Sequence, residues 1–112
     1  MMLVLMLSLA IAAPNPRTLD APRKAYSACI RQFETTSRAA KLQPAAYSTA
    51  IKGACPAQAA ALTRALTEFD IAMGSKRATA ASNAAIDVGD YLVTSDERYR
   101  DSVGDSSAPN PQ

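Results

Sequence analysis

Two cysteines on either side of one proline-marked turn constrain this chain more than anything else in it. Cys29 stands thirteen residues before Leu42, and Cys55 stands twelve after Gln43. Leu42, Gln43 and Pro44 mark a turn, because the residue before a proline avoids the α conformation. Two antiparallel helices rising about 1.5 Å per residue then bring the sulfurs nearly level. With two cysteines there is one pairing, Cys29 with Cys55. Closing such a loop stabilises by about 3–4 kcal/mol in the chain-entropy description, a large share of a small domain's total. There is no C-x-x-C and no histidine, which sets a structural bridge ahead of a redox or nucleophilic thiol.

Hydrophobic spacing gives helix almost throughout. Asp20 is placed as an N-cap with Pro22 in the first turn, where a missing N–H costs little. Tyr26, Cys29 or Ile30, Phe33, Ser37 and Ala40 recur at three-to-four spacing as one stripe. Tyr47, Ile51 and Ala54 continue it in a second helix. Gly53 and Pro56 then mark a kink or a short break. Ala59, Leu62, Leu66, Phe69 and Met73 carry the pattern on, and Gly74 and Ser75 look like a C-cap followed by a new N-cap. A last helix is expected from about Lys76 to Arg100, with Ala81, Ala85, Val88, Leu92 and Tyr99 on one face. No segment alternates with period two. The predicted fold is all-α: a small antiparallel three-helix bundle, a helical hairpin plus a third helix, pinned by one disulfide. A single long helix running through Gly74 is the alternative, at about 1 kcal/mol for the glycine.

The opening segment sets the compartment. Met1 to Ala13 carries no charged side chain and ends in Leu9-Ala10-Ile11-Ala12-Ala13. It is too short for a bilayer span, which needs about 20 apolar residues. It matches a secretory apolar region with Ala10 and Ala12 before the cleavage point, although only the chain amine supplies positive charge. The expected organisation is a signal peptide over 1–13, a linker over 14–19, a helical domain over 20–100 and a disordered tail over 101–112. A periplasmic or secreted location follows, and it permits the disulfide.

Charge is uneven along the chain. Eight Lys or Arg stand against Asp20 and Glu34 through Arg64, whereas four stand against eight Asp or Glu beyond it. Oppositely charged helices attract when they pack; a basic face for anionic lipid is the competing use. The basic pairs Arg23-Lys24 and Lys76-Arg77 fall near helix starts and match no nucleic-acid motif.

Chemistry has little to work with. Without histidine, the commonest general base and metal ligand is missing. No G-x-S-x-G elbow is present, and Ser37 and Lys41 are four apart rather than three. Asp87 and Asp90 share a helical face, followed by Asp96, Glu97 and Asp101, and offer oxygen ligands to a divalent cation. The competing use is a solvated acidic face balanced by Arg98 and Arg100. Tyr26, Tyr91 and Tyr99 are the candidates for an aromatic contact face, weighed against a core role in which only their hydroxyls reach the surface. No catalytic residue, cofactor or metal site is assigned.

The run Ala25-Tyr26-Ser27-Ala28-Cys29-Ile30, the later Gly53-Ala54-Cys55, and Asp90-Tyr91-Leu92 with Glu97-Arg98-Tyr99 resemble small exported alanine-rich helical proteins of Gram-negative bacteria. The resemblance covers roughly residues 20–100. It implies a disulfide-pinned helical fold and transfers no catalytic residue. The expected function is a non-catalytic envelope interaction module with an envelope protein as partner. A periplasmic holdase is the alternative, although Leu62-Thr63-Arg64-Ala65-Leu66 and Leu66-Thr67-Glu68-Phe69 lack the glutamine of a Leu-Thr-x-x-Gln signature. A cation-binding protein built on Asp87 and Asp90 comes third.

Overall fold

A computed structural model describes residues 14–104. The expected signal peptide over 1–13 and the tail from 105 to 112 lie outside the described residues. The described chain is all-α, with helices α1 (Asp20–Ala39), α2 (Pro44–Ala50), α3 (Pro56–Ala72) and α4 (Arg77–Val103). Short 3-10 turns at Pro16–Leu19 and Ile51–Gly53 precede α1 and follow α2. The fold is a small helical bundle with Cys29 bonded to Cys55.

Contacts between elements give the direction of each strut. Arg23 meets Asp87, and Glu34 meets Arg98, both 64 residues apart. A constant offset means that α1 and α4 run parallel. Tyr47 meets Ser95 while Lys52 shares a groove with Gly89, so α2 runs against α4. α3 returns into α4 through the turn at Gly74, where Asn83 donates to Asp70. The course is up, down, up, with the middle passage divided between α2 and α3.

That division settles the reading of Gly53 and Pro56 as a break. Pro56 cannot donate to the preceding turn, and Cys55 before it adopts a left-handed conformation (φ 59°, ψ 46°). The Cys55 carbonyl then accepts from the Ala59 N–H at 2.9 Å and starts α3.

Both helical hairpin turns use the same closure. At the end of α1, the Leu42 N–H donates to the Ser37 carbonyl and the Lys41 N–H to that of Arg38. At the end of α3, the Ser75 N–H donates to Asp70 and the Gly74 N–H to Ile71. This double bond pattern needs a left-handed residue just past the helix. Gly74 supplies it at φ 104°, but the first turn uses Lys41 at φ 56°.

The core joins Leu19, Tyr26, Ile30, Tyr47, Ile51, Cys55, Leu62, Leu66, Ala84 and Tyr99. Along α4 the buried face passes from Ala80 and Ala84 to Ser95 and Tyr99. Small side chains near the α3–α4 turn let those helices approach closely; larger ones fill the far end.

Several boundaries differ from the sequence reading. The linker over 14–19 contains a 3-10 turn capped by the Asn15 side chain, and it buries Leu19. Asp20 is therefore the first residue of α1 and not its N-cap; Lys76, not Ser75, caps α4. Helix α4 continues through Asp101 to Val103, inside the expected tail. Ala81 and Ala85 are exposed while Ala80 and Ala84 are buried, and Met73 lies at the surface.

Candidate functional site

The inner face of α4 is a run of polar contacts set into the core. Glu34 is 1% exposed, and its two carboxylate oxygens accept from the Arg98 guanidinium at 2.5 and 2.6 Å. Arg98 is held ionised by this pairing, which raises its pKa. The Tyr47 and Tyr99 rings stack with centroids 3.8 Å apart and planes 7° apart. The Tyr47 hydroxyl shares a 2.6 Å hydrogen bond with Ser95, and Tyr99 donates to the Leu42 carbonyl at 2.5 Å. The second bond ties α4 to the closing turn of α1. Burial pushes the Tyr47 phenol above its ordinary value, partly offset by Ser95, and burial does the same at Tyr26.

At the other end of the bundle, Arg23 meets both carboxylate oxygens of Asp87, at 3.0 and 3.4 Å, and donates to the Tyr91 hydroxyl at 3.0 Å. The Asp87 hydrogen bond is the main reason the Arg23 pKa rises. Ser48 donates to Asp96, and the Arg100 guanidinium reaches both Asp96 at 3.3 Å and Ser48 at 2.9 Å. These polar groups hold helices together; every buried side-chain nitrogen and oxygen among the described residues has a partner.

The tyrosines named from sequence do not make an exposed groove. Tyr26 and Tyr99 are fully buried, and Tyr91 is half-buried against the Tyr26 ring at 5.3 Å. Tyr26 and Tyr91 pack against one another between α1 and α4, whereas the Tyr99 ring lies on Tyr47 of α2. Asp87 is occupied by Arg23, so the Asp87–Asp90 row is not a bare carboxylate pair. Among the described residues, no group of three or more His, Cys, Asp or Glu is arranged to hold a metal. Cys29 and Cys55 are joined as expected, which fits an oxidising compartment. No described helix is long and apolar enough to cross a membrane.

What the outer surface offers is an open groove between α4 and the segment 48–52. Ile51, Gly89, Leu92 and Val93 form its apolar part, with Ser48, Lys52, Asp96 and Arg100 around them. Its volume is about 490 Å³. Val93 is 57% exposed, and Ile86, seven residues earlier on the same helical face, is 62% exposed. Residues seven apart lie nearly in line along a helix. Sequence reasoning missed this face because it read α4 for its buried stripe alone. The signal was present in Ile86 and Val93, which fall off that stripe. No protein-family model, curated protein or solved structure matches this chain.

Proposed function

We propose that this chain is a non-catalytic exported interaction module of the envelope, and that it receives an amphipathic helix of a protein partner in the groove between α4 and residues 48–52. The carrying observation is Val93, an aliphatic side chain left exposed in the wall of an open apolar groove. Helix-in-groove recognition uses such a surface, with apolar anchors every three or four residues. Charge narrows the partner further. Asp96 and Arg100 pair with one another, whereas Lys52 has no carboxylate partner among the described residues. The matching helix therefore carries an acidic residue beside its apolar anchors. Export rests on the opening segment, and it agrees with the disulfide.

A photoreactive residue at position 93, expressed in the intact envelope, tests the reading. The expected product is one adduct of defined mass, absent when the probe is moved to exposed Ala60 on α3. Many adducts with unrelated, partly unfolded proteins instead favour the holdase alternative. No adduct from position 93 contradicts the groove assignment.

A further inference from the structure

Where α1 turns into α2, the end of α4 closes an open depression of about 570 Å³. Arg38, Lys41 and Arg100 line it, beside the apolar Leu42, Pro44 and Val103, and among the described residues no carboxylate does. The volume falls within the roughly 300–1,000 Å³ typical of small-ligand sites.

We propose that this depression binds a phosphomonoester group, held by Arg38 and Lys41 with Arg100 at its edge. Two observations carry the assignment. The first is charge balance. Arg100 is engaged by Asp96 and Ser48, while Arg38 and Lys41 have no carboxylate partner among the described residues. The depression thus offers about two open positive charges, matching the −1.5 to −2 of a phosphomonoester near pH 7. Guanidinium and ammonium groups both donate charge-assisted hydrogen bonds to such oxygens.

The second observation is backbone. Lys41 occupies a left-handed position at φ 56°, whereas the chain places glycine at the other two such helix ends, Gly74 and Gly104. Lys41 thus lines the depression from a backbone conformation that disfavours any side chain. The carbonyls of Ser37, Arg38 and Leu42, which would repel an anion, are already taken by the Leu42 N–H, the Lys41 N–H and the Tyr99 hydroxyl. The ligand is a soluble phosphate ester or the phosphate of a lipid headgroup; both present the same oxygens.

The test titrates the full chain with inorganic phosphate at low ionic strength, following amide resonances. In parallel, it measures adsorption to phosphatidylcholine vesicles with and without phosphatidic acid. Saturable shifts at residues 38–45 and 100–103 identify the soluble source. Adsorption that needs phosphatidic acid identifies the lipid source, and either result supports the site. Lys41→Gly is the decisive variant, because it removes the charge while relaxing the backbone. It should melt higher than the parent yet bind about tenfold more weakly, the loss of one charged contact. Lys52→Gln, a basic residue outside the depression, should bind as the parent does. Unchanged affinity in Lys41→Gly, equal loss in Lys52→Gln, or no binding in either arm overturns the proposal.

Discussion

Glu34 and Arg98 form a bidentate ion pair across α1 and α4, with the carboxylate almost wholly removed from solvent. Removing one partner of such a pair strands a buried charge, whereas removing both does not. Arg98→Met should therefore lower stability by about 3–5 kcal/mol. Arg98→Met combined with Glu34→Leu should recover most of that loss. Chemical denaturation of the three proteins checks the pattern, and equal losses in the single and double variants would refute it.

The disulfide closes 26 residues of sequence. Replacing Cys29 and Cys55 together by alanine should cost about 3–4 kcal/mol on loop entropy. Native protein should show no reactive thiol before reduction. Two thiols titrating in the folded, exported protein would contradict both the bond and the compartment it implies.

The two hairpin turns make opposite predictions from one geometry. Lys41→Gly should stabilise by about 0.5–1 kcal/mol, because glycine enters the left-handed region without a steric penalty. Gly74→Ala should destabilise by about 1 kcal/mol for the same reason. An added methyl at position 74 meets no atom within 4 Å, so backbone conformation alone decides the effect. Thermal melts of both variants read the two signs.

Alkaline stability follows from the buried phenols. Tyr26 and Tyr47 have pKa values raised above 10.0 in the fold, chiefly by burial. The unfolded chain releases those protons near pH 10, while the folded chain keeps them. Their contribution is fully present below pH 10 and is lost as pH rises through the folded values. Tyr47→Phe should make the decline above about pH 10 shallower. At neutral pH it should cost about 0.5–1.5 kcal/mol, as Ser95 loses its partner. Denaturation midpoints across pH 8–11 distinguish the two effects.

Some of this is legible in the sequence alone. The cysteine spacing and the turn at Leu42 gave the hairpin, and Gly74 marked its own left-handed cap. The phase of α4 was not readable, because Ala80, Ala81, Ala84 and Ala85 offer no contrast between faces. Only packing against α3 decides which two are buried. Glu34 enters the sequence reading only in the charge balance, although it falls four residues after Ile30 on the buried stripe. A carboxylate at that register requires a cation across the interface, and Arg98 beside Tyr99 supplies it. Leu19 was lost to a linker because the turn that buries it is short and lies outside the helical pattern. The groove beside Val93 depends on the break at Gly53 and Pro56, which sets residues 48–52 against α4. Sequence spacing could not choose between a break there and a kink.

Recognition of a partner helix by the face of α4 around Val93 is read from the affinity of the crosslinked partner, once identified, for the parent chain, Val93→Asp and Ala60→Asp. Both positions are exposed, so both variants should keep the parent melting temperature. Val93→Asp should lose at least about tenfold in affinity, the cost of a charge facing an apolar anchor, and Ala60→Asp should keep the parent affinity. Parent affinity in Val93→Asp, with the fold intact, would contradict it.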